Sequence, residues 1–214
     1  MTALALGVVL AGFAKTYYLK WFFDSPPLPL LLHVHGAVMS IWFALFVIQA
    51  ALIRAHRVDL HRLVGIASAA FALILIPVAL ATARQFVINS LHDPELLPLA
   101  AAIAGFDAVV LVVFGILVGT AVSWRNRPDI HKRLMTLATL SLLGPPLARL
   151  VGDENAVLVS NAIVLLPVVI DTVWHRRLHP AFGWGAALVV ISTHATLVMV
   201  MKPEWTDFAV RLVQ

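Results

Sequence analysis

A bundle of membrane-crossing helices is the fold class this chain predicts, and three observations predict it. The 214 residues are 61% hydrophobic and only 12% charged, where a soluble domain is roughly half apolar and a quarter charged. The apolar residues fall into seven continuous runs, each near the length of about 20 residues that crosses a bilayer as a helix. A barrel strand would alternate instead. The short loops between the runs also alternate in charge sign. We read one all-α domain over residues 1–214, a polytopic bundle of seven transmembrane helices.

The spans follow in order. The first covers 3–23. Its opening stretch, Met1 to Ala14, is apolar without a basic leader, and apolar character resumes after Lys15. It therefore reads as a membrane helix and not a cleaved signal peptide. The second, 28–53, follows the turn Asp24-Ser25-Pro26-Pro27, and the third, 60–84, follows a basic turn holding Arg54 and Arg57. The fourth, 96–124, follows His92-Asp93-Pro94, and the fifth, 130–151, follows Asn126-Arg127-Pro128. Both turns carry strong chain-breaking signals. The sixth, 156–174, follows Gly152-Asp153-Glu154-Asn155, and the seventh, 181–201, follows His179-Pro180. The tail at Trp205-Thr206-Asp207 reads as a short interfacial segment.

Loop charges set the orientation. Loops after spans two, four and six carry Arg54, Arg57, Arg62, Arg125, Arg127, Lys132, Arg133, Arg176 and Arg177, against Asp59 and Asp129. The opposite loops and the tail carry Asp24, Asp93, Glu95, Asp153, Glu154, Glu204 and Asp207. The positive-inside rule then places the N-terminus inside and the C-terminus outside. It also accounts for the basic balance, so no nucleic-acid partner is expected. The chain has no cysteine, which excludes disulfides, thiolate zinc sites, iron–sulfur clusters and thiol catalysis.

Nine histidines accompany these spans, and they sort into two layers. On the inner side, His61 begins span three, His131 begins span five, His175 ends span six and His179 precedes span seven. Asp171 is one turn above His175, and Gln49 lies near the inner end of span two. Single histidines beside basic residues are ordinary interfacial caps, but three helices starting this way on one side suggest a site. The outer layer is deeper. His35 lies about seven residues into span two, roughly 10 Å below the boundary at 1.5 Å per residue. His194 sits at similar depth in span seven. Lys15, Asp107, Arg149 and Asn161 belong to the same layer. Charges at such depth are costly in lipid, so Lys15 and Asp107 are expected to face inward as a pair, and His35 and His194 to face each other.

Read in order, His35, Gln49, His61-Arg62-Leu63-Val64-Gly65, His131-Lys132-Arg133-Leu134-Met135 and Arg149 resemble a family of bacterial multi-pass membrane proteins classed as a domain of unknown function. That family shows a His, a Gln, a His-Arg…Gly, a His-Arg/Lys-Arg-x-Met and a later Arg. The resemblance covers spans two to five. It implies a multi-pass protein of the bacterial inner (cytoplasmic) membrane and marks these positions, without bringing a reaction. The two histidine depths are also similar to cytochrome b561-type and ferric-reductase-type membrane haem proteins, although span four here has no histidine.

Three readings follow from these residues. The first is a b-type haem or other redox protein, a membrane oxidoreductase exchanging electrons with a quinone or a metal chelate. Haem b takes two axial imidazoles and cations for its propionates. The outer layer offers His35 and His194 with Arg149 or Lys15; the inner offers His61 and His131 with Arg62 and Arg133. The second is a zinc or iron enzyme. Three imidazoles and a water make a catalytic zinc site, which His61, His131 and His179 (or His175) would supply, with Asp171 behind them. The third is a non-catalytic assembly or accessory subunit of a membrane complex, in contact with the lipid bilayer and another subunit. No phosphate-binding glycine loop, nucleophile elbow or HExxH motif is present.

Overall fold

Proline, glycine and polar turns divide the chain into nine α-helices in the computed structural model, which describes the backbone of residues 1–214 and every side chain except that of residue 203. They are α1 (Thr2–Gly12), α2 (Leu30–Arg54), α3 (Val58–Asn89), α4 (Leu97–Ser123), α5 (Pro128–Ser141), α6 (Gly144–Val151), α7 (Asp153–His175), α8 (Pro180–Val200) and α9 (Pro203–Val213). There is no strand among the described residues. Five helices, α2, α3, α4, α7 and α8, are long and apolar enough to cross a membrane. The pair α5–α6 makes a sixth if it is taken as one bent span.

Two of the expected spans are broken, each for a local reason. The fifth bends by 48° between α5 and α6. Pro145 and Pro146 follow Gly144 there, and proline removes a helical donor and clashes with the preceding turn. The first ends as a regular helix at Gly12, which packs against Pro146; a Cβ there would lie 2.8 Å from Pro146 Cα. The chain continues as a π turn over Ala14–Tyr18 and a 3-10 turn over Lys20–Phe22. Polar tethers hold this segment. Tyr18 Oη lies 2.7 Å from Ser40 Oγ, and Ser25 Oγ donates to the Lys15 carbonyl at 2.9 Å. The tail forms α9, pinned by Trp205 Nε1 donating to the Ala101 carbonyl at 2.8 Å.

Helix α4 is the centre. It packs on α3, α5, α8 and α9, and it buries Ala100, Ala101, Gly105, Leu111, Phe114, Leu117 and Ala121 along its length. Small residues let neighbours approach closely, as expected where lipid removes the hydrophobic drive between helices. Leu134, Leu137 and Leu143 complete the core around it. Large apolar side chains remain exposed elsewhere, including Leu63, Ile66 and Leu73 on α3, Val173 on α7 and Ile191 on α8. Such a surface suits hydrocarbon and not water.

Candidate functional site

The basic loops and the helix ends beside them gather most of the histidines. Gln49 projects from α2 toward the first turn of α3. Its amide orientation is dictated by backbone groups: Nε2 donates to the His61 carbonyl at 3.2 Å, and Oε1 accepts from Gly65 N at 2.8 Å. In that orientation Nε2 also donates to His61 Nδ1. His131, from the first turn of α5, places Nδ1 2.8 Å from the Ala121 carbonyl of α4. A carbonyl only accepts, so this nitrogen carries the proton. The two rings face one another with centres 6.3 Å apart and planes at 85°. These partners assign opposite tautomers. His61 presents Nε2–H toward its surroundings, and His131 presents a bare Nε2. Both rings are half-buried.

The other groups expected to share this site are held elsewhere. Arg133 and Asp171 form a buried ion pair between α5 and α7, with Nε–Oδ2 at 3.0 Å and Nη2–Oδ1 at 2.6 Å. Their side chains are only 6% and 14% exposed. The guanidinium also donates to the Asp129 carbonyl at 2.7 Å and lies over the Phe182 ring. Arg133 is therefore not free for a propionate, and Asp171 is not free as a base or metal support. His175 is exposed, with Nδ1 on the Asp171 carbonyl at 2.9 Å. His179 lies 3.3 Å from Asp129 Oδ2, beside a cleft framed by Trp124 and Trp184. No group of three His, Asp or Glu side chains among the described residues is arranged to hold a metal ion. The expected set of His61, His131, His175, His179 and Asp171 thus divides into three separate contacts. Residues equal in depth point in different directions around their helix axes.

The outer layer also divides. Lys15 is exposed in the π turn, with its amine 5.8 Å from the centre of the Phe23 ring. It makes no ion pair with Asp107 among the described residues. The end of regular helix at Gly12 rotates it away. The buried lysine of this segment is Lys20, over Trp21, which sequence depth did not single out. His194 is exposed, with Nδ1 on its own Val190 carbonyl at 2.9 Å. Its helix, α8, packs on α4, α5 and α7, whereas α2 packs on α1 and α3. The expected His35–His194 clasp is therefore not formed. Arg149 is exposed, donating to the Pro145 carbonyl at 3.1 Å, with its guanidinium 4.5 Å from the centre of the Phe13 ring. No protein-family model, curated protein or solved structure matches this chain.

Proposed function

We propose that the protein is a multi-pass protein of the bacterial inner membrane that holds haem b between His61 and His131 and exchanges electrons with a quinone or a metal chelate. In this reading α1 with its following turns is the first of seven crossings, and the bent α5–α6 pair is the fifth. The N-terminus lies inside and the C-terminus outside, as the alternating loop charges support. Cysteines replacing Arg127 and Glu154 in this cysteine-free chain should label from opposite sides of the membrane. Labelling from one side would end that topology.

The observation that carries the haem reading is the His61–His131 pair. An imidazole nitrogen lies about 2 Å from a bound transition metal, with the ring centre roughly 1 Å behind it, so two imidazoles sharing one ion have centres about 6 Å apart. The observed 6.3 Å fits. Helices α3 and α5 both pack on α4, which brings the two histidines together from separate helices. A ligating imidazole generally has its other nitrogen held by a carbonyl or similar group. Ala121 serves His131 in this way. Ligation through His61 Nε2 would move its proton to Nδ1, and would have to offset the hydrogen bonds that Gln49 makes with that nitrogen, with the His61 carbonyl and with Gly65 N. Arg62 and Lys132, both exposed beside the pair, are the cations for propionates. The haem would supply one-electron chemistry.

Absorption spectra of purified protein, with and without dithionite, test this directly. The wild type should show a Soret shift and an alpha band. His61→Ala and His131→Ala should each lose them, and His56→Ala should keep them. A wild type without haem bands, purified from haem-sufficient cells, defeats the assignment. The opposite tautomers favour a second reading, a haem-free relay in which His61 Nε2–H gives and His131 Nε2 receives a proton through a bridging water or substrate hydroxyl. The same colourless spectrum would favour it. Zinc or iron on these two imidazoles would need further ligands from water or substrate, and elemental analysis distinguishes that case.

A further inference from the structure

The turn between α4 and α5 and the start of α8 border a cleft of about 310 Å³ at the basic-loop end. Pockets that hold small molecules begin at roughly this size, about 300 Å³. Trp124 ends α4, and its carbonyl accepts from Arg127 N at 2.8 Å. That turn brings both side chains to the cleft. Trp184, in the second turn of α8, lines it as well. The two tryptophans are 47% and 41% exposed. No cation of the chain lies over either indole among the described residues. From the cleft an apolar track runs along the span. Val112, Ile116, Thr120 and Trp124 recur every four residues and so share one face of α4. Thr120 and Trp124 line the cleft, and Val112 and Ile116 are exposed beyond it. On α8, Ile191 is exposed two turns beyond Trp184, and α8 packs on α4.

Arg127 and Asp129 supply the charge of the cleft. Arg127 Nε lies 3.6 Å from Asp129 Oδ1. Arginine side chains that donate hydrogen bonds among the described residues are Arg84, Arg125, Arg133 and Arg149, not Arg127. His179 is neutral. Its Nδ1 accepts from Ala181 N at 3.2 Å, so the proton is on Nε2, which donates to Asp129 Oδ2 at 3.3 Å. The cleft thus presents one positive and one negative charge beside two open indoles. A carboxylate has about four acceptor positions, and His179 uses one. An anion alone would be repelled by Asp129. A metal ion would find a single carboxylate, since both His179 nitrogens are engaged. A zwitterion matches both charges. A primary ammonium donates up to three hydrogen bonds to the spare positions of Asp129 and is drawn to indole faces. A phosphate suits the free guanidinium fork of Arg127. Tryptophans at the ends of spans lie at the level of lipid head groups.

We propose that this cleft binds the head group of an ethanolamine phospholipid. The ammonium sits on Asp129 between Trp124 and Trp184, the phosphate on Arg127, and the acyl chains follow the exposed face of α4. The site rests on the chain lying in a bilayer and not on haem, so spectra without haem bands leave it standing. The test titrates dioctanoyl phosphatidylethanolamine, phosphatidylcholine and phosphatidylglycerol into the full-length protein in detergent, read by native mass spectrometry and melting temperature. The ethanolamine lipid should bind saturably and about tenfold more tightly than the other two, the effect of one hydrogen bond to a charged group. The choline lipid has no N–H to give Asp129, and the glycerol lipid has no cation. This comparison is made on the wild type and needs no variant to fold. Asp129→Asn, which keeps an acceptor for His179, should remove the preference. Arg127→Gln should weaken all three lipids, and His194→Ala should bind like the wild type. Phosphoethanolamine without acyl chains should compete only at much higher concentration. Equal affinity for the three lipids would overturn the site in favour of ordinary boundary lipid. A preference for the glycerol lipid, or an ethanolamine preference that survives in folded Asp129→Asn, would also overturn it. Phosphoethanolamine binding as tightly as the lipid would reassign the cleft to a free solute.

Discussion

At the basic-loop end of the bundle, polar side chains close on one another. On the far halves of α2 and α4, His35, Trp42 and Asp107 do not. Arg133 meets Asp171 through paired short hydrogen bonds, His179 meets Asp129, and Gln49 and Ala121 hold the two facing imidazoles. Seven and fourteen residues along α2 from Gln49, Trp42 Nε1 and His35 Nδ1 are orphaned, and Asp107 on α4 makes no ion pair among the described residues. The same residue types therefore play different parts. Where donors and acceptors match, they fasten α5, α7 and α8 together and fix ring orientation. Where a buried donor or acceptor faces no counterpart, it is left unsatisfied at a cost in stability.

The largest effect should come from breaking the satisfied end. Arg133→Met leaves a buried carboxylate without its partner, and such losses cost about 3–5 kcal/mol. Adding Asp171→Leu should recover much of that, because a paired apolar replacement removes both desolvation penalties. Thermal unfolding in detergent of both single variants and the double variant reads the coupling. Additive losses would show that the pair does not act as a clamp.

A smaller loss is expected from Gly105→Leu. The glycine lies under the Trp205 ring, and even a Cβ would sit 2.6 Å from Trp205 Cζ2. Overpacking of this kind costs about 1–3 kcal/mol. It should release α9, seen as faster proteolysis after Arg211 and a red shift in tryptophan emission. Unchanged protection would mean that α9 is held by other contacts.

The unsatisfied end should respond least. Asp107→Leu removes a charge that has no protein partner, so the unliganded protein should lose no stability and should gain some. A cycle combining it with Lys15→Met should show no coupling in melting temperature, since Lys15 is exposed and turned away. Clear coupling between those two positions would restore the pairing that charge and depth suggest. His194→Ala should leave the melting temperature unchanged.

Much of the fold was legible because lipid imposes strong constraints. The second, third, fourth, sixth and seventh spans match α2, α3, α4, α7 and α8 in position. The breaks were less legible. Gly144-Pro145-Pro146 is a visible stop signal inside a run otherwise long enough to cross, whereas the ending of α1 at Gly12 depends on the close approach of Pro146. Among site residues, the sequence reading put His61 and His131 in one layer, and their ring centres lie 6.3 Å apart. His35 and His194 share a depth on paper and do not meet. Sequence position along a helix gives depth through the 1.5 Å rise, but the face a residue turns inward depends on which helices surround it.

By itself the sequence determined that the chain is helical and apolar, which stretches form its long helices, and how far along them each polar residue sits, although α3 runs five residues past the expected end, to Asn89. These follow from local properties: run length, turn residues and rise per residue. Only the tertiary structure decided which polar residues became partners. It engaged Arg133 with Asp171, set Gln49 on His61, and turned Lys15 and His194 outward. It left His35 Nδ1 and Trp42 Nε1 buried without a partner. Neighbour choice is a property of packing around α4, where small and large side chains across several helices select one arrangement together, and no single stretch of chain contains that information.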